Sequence, residues 1–136
     1  MKVEVDLLAD QQLKASVGEH EIISDQSIAA GGAEAYPEPF QYFLASMPMC
    51  AAFYIRKFCQ QRDISTDGIR VIQNKEDLTD EKYKKKFNIE VELPDSFPKK
   101  YRKGLPGLLI TIWRSATELR TQDFASVDVS SSLVGS

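Results

Sequence analysis

Two cysteines, Cys50 and Cys59, are the residues of this 136-residue chain best suited to nucleophilic or redox chemistry. Their C-x8-C spacing is not typical of zinc sites, and the chain has a single histidine, so we expect neither a metal nor a cofactor. On one regular helix the two residues would stand ~13.5 Å apart along the axis, whereas a disulfide needs Cα atoms within ~7 Å. We therefore expect two free thiols.

The commoner catalytic and nucleotide-binding motifs do not occur in the sequence. Gly31-Gly32 lacks the G-x-G-x-x-G pattern of dinucleotide sites, and there is neither a P-loop nor a G-x-S-x-G nucleophile elbow. Composition and spacing alone therefore predict a soluble α+β domain that pairs with a second copy.

A long apolar helix from Pro39 to about Arg62 is predicted to carry both cysteines. Pro39 suits the first turn of a helix, where its missing N–H costs nothing, and Pro48 is expected to bend the helix two residues before Cys50. The apolar positions are Phe40, Phe43, Leu44, Met47, Met49, Ala51, Ala52, Phe53, Tyr54 and Phe58. Because they cover most of the helix circumference, we expect a sheet on one side and a second copy of the chain on the other.

The position of Cys50 on this helix leaves its role open. It falls within one or two turns of Phe43, Met47 and Tyr54, on the apolar face. A cysteine in such surroundings is more often a small core residue than a nucleophile. Cys59 lies about half a turn round from Cys50, which predicts the opposite helix face.

The segment before the helix predicts β-strands. Apolar and polar residues alternate over 3–7 and 13–17, and Gly18-Glu19 offers a turn into a third short strand at 20–23, which is typical of an antiparallel meander. A loop from Ser24 to Pro39, rich in small residues and chain breakers, follows.

The segment after the helix predicts two further strands, at 69–72 and 87–93, joined by a solvated charged connection from Glu76 to Lys86. Residues 99–121 predict a second helix. Val127 and Val129 predict a closing strand before a serine-rich end that should fray.

This element order is typical of the α+β class, and the length suits a single domain over residues 1–136. The formal net charge is -3, which argues against a nucleic-acid binder. No apolar run approaches the ~20 residues of a membrane helix, and the N-terminus does not read as a signal peptide. We therefore expect a cytoplasmic protein with reduced thiols and no membrane partner.

Five short features occur in a fixed order between about residues 17 and 65. They are His20 followed by Asp25, Gly31-Gly32, Pro37-Glu38-Pro39, Ala45, and Cys50 in an apolar helix. Their order and spacing resemble the OsmC/Ohr family, named after osmotically induced protein C and organic hydroperoxide resistance protein. The resemblance implies antiparallel sheets wrapped around a long central helix, and an intertwined homodimer in which each central helix is buried against sheets of both chains.

The resemblance also implies a cysteine-based reaction. In catalytic members a cysteine thiolate attacks an organic hydroperoxide, and a second cysteine resolves the resulting sulfenic acid. Cys50 matches the attacking position, whereas Trp113 stands at the resolving position, so an external thiol or Cys59 of a partner or rearranged chain would have to resolve it. The family also holds the thiolate with a glutamate and an arginine; Glu38 stands beside the first position, and no arginine precedes Arg56.

Three of the matched polar residues also have ordinary structural interpretations. Glu38 suits the start of a helix, where the helix dipole favours an acid. His20 suits a strand and Asp25 a turn.

Two functions of different classes stay open at this point. One is a thiol-dependent organic hydroperoxide reductase of oxidative stress defence, with Cys50 and Glu38 as catalytic residues. The other is a non-enzymatic homodimer that binds a small hydrophobic ligand or a protein partner; a purely structural dimer is a third possibility. The residues expected to line an apolar pocket are Phe40, Phe43, Met47, Tyr54 and Trp113.

Overall fold

Residues 1–77, 85–105 and 129–134 are described by a computed structural model of the chain. Tertiary contacts divide the chain into two units, Met1–Met47 and Pro48–Ser136. Helix α1, Pro39–Gln60, contributes residues to both units and is continuous through Pro48. The long helix predicted from Pro39 is therefore confirmed, and it ends two residues before Arg62.

The first unit contains an antiparallel three-strand sheet. Strand β1, Val3–Leu7, pairs with β2, Leu13–Val17, and β2 pairs with β3, His20–Ser24. Gly18, in the turn between β2 and β3, has a φ of 60°, a conformation that glycine adopts without strain. The meander predicted from the alternating pattern is confirmed.

The second unit contains a mixed sheet in the order β4-β5-β6. Strands β4, Arg70–Asp77, and β5, Lys85–Glu92, are antiparallel, and β6, Val129–Val134, is parallel to β5. A short helix α2, Lys99–Arg102, follows β5.

Two predictions about the strands of this sheet are wrong. The strands extend into the charged stretch from Glu76 to Lys86, because backbone pairing in a hairpin does not require apolar side chains; residues 78–84 lie outside the described part. The serine-rich end, expected to fray, forms most of β6, since serine backbone groups pair with β5 as well as any others. Val127 and the helix predicted beyond residue 105 also lie outside the described residues.

The core of the second unit joins one face of α1 to one face of β5. Ala51, Ile55 and Cys59 recur every four residues on the helix, and the buried residues of β5 and its extension alternate with half-buried ones. These residues and two from the following segment form the core: Ala51, Ile55, Cys59, Ile89, Val91, Leu93, Phe97 and Leu105. Each fully buried Ile, Val, Leu or Phe side chain of this core stabilises the unit by about 1.5–3 kcal/mol.

The outer face of α1 is exposed in the single chain. Among its large apolar residues, Phe40 is 55%, Met49 70% and Phe53 53% accessible. Packing within one chain therefore accounts for the apolar residues on one face of α1 and not for those on its outer face.

The fold class is α+β, as predicted, with antiparallel hairpins and a long helix. Within the described residues, no helix has the length and apolar character needed to cross a membrane. The single-domain assignment over 1–136 stays a prediction.

Candidate functional site

The Cys50 thiol is exposed on α1 and lies among exposed apolar side chains. Phe53 and Tyr54, three and four residues on, share its side of the helix, and their rings meet edge to face with centroids 5.5 Å apart. The Lys57 ammonium lies 5.2 Å from the centre of the Phe53 ring. Within the described part of the chain, the Cys50 thiol has no hydrogen-bond partner.

Cys59 lies in the opposite environment, with no accessible surface. Burial raises the pKa of the Cys59 thiol, and the nearby Arg62 guanidinium only partly offsets this. Both cysteines are free, as predicted. Cys59 is therefore the cysteine that acts as a small core residue, a role that the apolar pattern had also allowed for Cys50. The exposed thiol is that of Cys50.

Glu38 lies immediately before the first residue of α1 and is half-buried. Its carbonyl oxygen accepts hydrogen bonds from the N–H groups of Gln41 and Tyr42, at 2.9 and 3.3 Å. The Gln41 side-chain oxygen accepts one from the Glu38 N–H at 3.0 Å. This is half of a capping box, and the glutamine three residues after the cap is the signal in the sequence that indicates it.

An open cleft of about 510 Å³ lies beside Glu38 in the first unit. Its lining is mostly polar: Gln26, Glu34, Ala35, Tyr36, Pro37, Glu38 and Gln41. This lining contains none of the described residues that were predicted to form an apolar pocket, although Glu38 precedes Phe40 by only two positions.

Asp25 holds the loop that forms one side of this cleft. Its side chain is 1% accessible and accepts hydrogen bonds from the backbone N–H groups of Gln26, Ala33 and Ala35, at 2.8, 3.3 and 3.1 Å. These bonds lower the pKa of the Asp25 carboxyl, and the bond from Gln26 has the largest effect. The structural role expected for Asp25 fits this geometry, and the exposed His20 begins β3.

Two further features fix this loop, one where its ends meet and one near its middle. Tyr42 donates its hydroxyl hydrogen to the Ile23 carbonyl oxygen at 2.6 Å, which ties the start of α1 to β3. A Cβ on Gly32 would stand 2.1 Å from the Gln26 carbonyl oxygen, so only glycine fits there.

The residues predicted for the apolar pocket occupy different environments. Phe40 and Phe43 are exposed and stacked, with ring centroids 5.9 Å apart, whereas Met47 is buried. Tyr54 is 40% accessible. Trp113 lies outside the described residues, so the pocket stays a prediction.

The sequence does not decide which arginine contacts Cys50, and Arg56, Arg114 and Arg120 are the candidates. Arg56 follows Cys50 by six residues, which is about 240° round a helix, so it faces away from the thiol. It lines a separate cavity of about 130 Å³ with Thr66 and Ile69 among others. Arg114 and Arg120 lie outside the described part. The described residues also hold no His, Cys, Asp and Glu cluster suited to a metal ion.

Comparisons with known proteins reveal similarity in structure rather than in sequence. No family model and no curated protein matches the chain. A crystal structure of an osmotic stress induced and detoxification response protein from Psychrobacter arcticus superposes with a TM-score of 0.71 and 16% identity, covering 98% of this chain and 94% of that one.

Two further solved structures have a similar fold. The organic hydroperoxide resistance protein OsmC from Legionella pneumophila has a TM-score of 0.62 and 14% identity, over 98% of this chain and 96% of the other. OhrB of Bacillus subtilis, an organic hydroperoxide resistance protein, has a TM-score of 0.59 and 17% identity, over 98% of both chains. The chain is therefore OsmC/Ohr-like in its fold.

Proposed function

We propose that this protein is a thiol-dependent organic hydroperoxide reductase that uses Cys50. The observation that carries the proposal is an exposed cysteine on the long helix, among exposed apolar side chains, in a fold like that of organic hydroperoxide resistance proteins. Phe53 and Tyr54 offer apolar surface to the organic part of a substrate, next to the reacting sulfur.

The reaction balances with an external thiol as reductant. The Cys50 thiolate attacks one peroxide oxygen, the O–O bond breaks, and the other oxygen leaves as an alcohol after taking a proton. Cys50 is then a sulfenic acid. One external thiol displaces its oxygen as water and forms a mixed disulfide, and a second thiol releases Cys50 as a thiol. One hydroperoxide and two thiols thus give an alcohol, water and a disulfide.

Glu38 is the proposed second catalytic residue, and its role is to help hold the Cys50 thiolate ready to attack the peroxide. The proposed assembly is a homodimer in which a second copy covers the exposed outer face of α1 and closes a pocket over Cys50. The position of the half-buried residue Glu38 at the start of α1 and the exposed aromatic rings support these roles.

Cumene hydroperoxide tests the proposal in the wild type, Cys50→Ser and Cys59→Ala proteins. We expect Cys50 to gain one oxygen, detected by mass and trapped by dimedone, at least about a hundredfold faster than a small free thiol, the scale of one well-placed stabilising group. Cys50→Ser should lose the thiol-dependent turnover, and Cys59→Ala should keep it. Oxidation of Cys50 no faster than the free thiol would sink the proposal.

A matched pair of variants tests the part assigned to Glu38. Glu38→Gln is expected to slow Cys50 oxidation about tenfold, which corresponds to ~1.4 kcal/mol. Glu34→Gln removes another carboxylate from the same cleft and should leave the rate unchanged. Equal rates in all three proteins would remove Glu38 from the mechanism.

A non-enzymatic binding protein is the second candidate, and the exposed Phe40–Phe43 stack favours it. If an apolar molecule co-purifies and Phe43→Ala releases it while Cys50 remains unreactive, binding is the better description.

A further inference from the structure

A rigid group of cations lies in the second unit, where the end of α1 meets α2. The Arg62 guanidinium lies 3.9 Å from the centre of the Phe58 ring and 5.5 Å from that of Tyr101. The Lys100 ammonium lies 4.6 Å from the Tyr101 ring centre. The two rings meet edge to face at 5.6 Å and pack against the core, so both cations rest on a firm support.

Two more exposed lysines, Lys99 and Lys103, flank these cations on α2 and just after it. Arg102 fixes the same turn through hydrogen bonds to the Phe97 and Pro94 carbonyl oxygens, at 3.4 and 2.7 Å. We call Arg62, Lys99, Lys100 and Lys103 the basic patch. No carboxylate of the described chain forms a salt bridge with any of its four members.

The two sequence segments that carry this patch are rich in basic residues. Segments 56–62 and 99–103 hold seven of the 17 basic residues and none of the 20 acidic ones. The rest of the chain therefore has ten basic against 20 acidic residues, a formal charge of -10. A positive surface on an otherwise acidic protein selects partners by local charge.

We propose that the basic patch is a docking surface for an acidic, Asp- or Glu-rich segment of a partner protein. The Arg62 guanidinium lies 3.9 Å from the centre of the Phe58 ring, and its N–H groups suit the two oxygens of a carboxylate. Arg62 spends one N–H on the Phe58 carbonyl oxygen, at 3.3 Å, and keeps the others for a ligand. The lysines around it supply mobile charges for neighbouring carboxylates.

Other polyanions fit the surface less well. Both rings are half-buried and already carry cations, so they offer little open face for the base stacking that single-stranded nucleic acids use. None of the exposed large apolar residues of the described chain belongs to segments 56–62 or 99–103, so the patch has no wedge to insert into a bilayer.

A labelled acetyl-hexaglutamate amide is the probe, with hexaglutamine as its neutral counterpart, in fluorescence anisotropy on the full chain. We expect hexaglutamate alone to bind, and its affinity to fall as salt is raised, because the patch is exposed. Lys100→Gln with Lys103→Gln should weaken binding about two- to fivefold per lysine removed. Arg62→Lys keeps the charge but loses the planar fork, so it too should weaken binding.

Lys2→Gln is the matched control, since Lys2 is an exposed cation of the first unit and its side chain is 79% accessible. It should bind like the wild type, and circular dichroism melting should show that all variants are folded. Equal affinity in the wild type and the double lysine variant would overturn the proposal. So would tighter binding of oligothymidylate or phosphatidylglycerol vesicles at the same residues.

Discussion

The two thiols differ in accessibility, and this difference decides their chemistry. Cys50 is exposed on α1, whereas Cys59 is fully buried between α1 and β5. Burial raises the pKa of Cys59, which keeps it protonated and unreactive at neutral pH. A buried cysteine behaves as a small apolar residue, so its role is packing.

Alkylation and unfolding measure this difference. Iodoacetamide should label Cys50 in the native protein and both cysteines only after denaturation, as peptide mass would show. Cys59→Ser should lower the free energy of unfolding by about 1–3 kcal/mol, because it buries a hydroxyl in an apolar core. The matched change Cys50→Ser should stay within ~0.5 kcal/mol. Native labelling of Cys59 at the rate of Cys50 would contradict this assignment.

Asp25 links the stability of the first unit to pH. Because its backbone hydrogen bonds lower the pKa in the folded state, the carboxylate stabilises the fold above the unfolded pKa of ~3.9, and this contribution disappears as pH falls through the folded value. The Asn variant has no carboxylate to protonate. Thermal melting should therefore show Asp25→Asn to be less stable than wild type at pH 7, with a gap that narrows below about pH 4.

Asp95→Asn, which changes an exposed aspartate, serves as the control for this titration. It should follow the wild-type pH profile. A constant gap between wild type and Asp25→Asn from pH 7 into the acid range would mean that Asp25 contributes no pH-dependent stability.

Residue roles were predictable from sequence only where they depend on near neighbours. Asp25 followed by small residues indicated a turn, and the backbone N–H groups that its carboxylate binds belong to the ten residues that follow it. Which of Cys50 and Cys59 is buried was not predictable, because both lie in an apolar run and only the position of β5 decides which side of α1 is covered.

At the level of elements, the loop before α1 depends on close backbone approach at Gly32. An added Cβ would lie 2.1 Å from the Gln26 carbonyl oxygen, a backbone atom that cannot move without disturbing the bonds to Asp25. Gly32→Ala should therefore lower the free energy of unfolding by about 1–3 kcal/mol in denaturant titration. At Gly104 the nearest atom to a Cβ is 3.8 Å away, so Gly104→Ala should be tolerated. Equal stability of the two variants would show that the loop relaxes freely.

Strands and helices with a strong periodic pattern were predictable, and their ends were less so. Alternation over 87–93 placed β5, and helical spacing from Pro39 placed α1. The parallel pairing of β6 with β5 was not predictable, because it joins segments far apart in the chain through backbone groups that every residue carries.

For the whole molecule, the exposed outer face of α1 is the feature that a single chain leaves unexplained. Met49, Phe53 and Tyr54 are 70%, 53% and 40% accessible on a helix whose other side is core. Apolar surface of this kind is typical of an association site. A second copy is the occupant we propose, because it would give the helix the cover on both sides that its apolar circumference calls for.

Sedimentation velocity at micromolar concentration should therefore find a dimer. Phe53→Glu should weaken it at least about a hundredfold, since the new carboxylate would be buried without a partner. Gln61→Glu adds the same charge at an exposed polar position just after α1 and should leave the dimer intact. A wild-type monomer, or a dimer indifferent to Phe53→Glu, would mean that the outer face of α1 does not join two copies, and that any pocket over Cys50 must be completed by the chain itself.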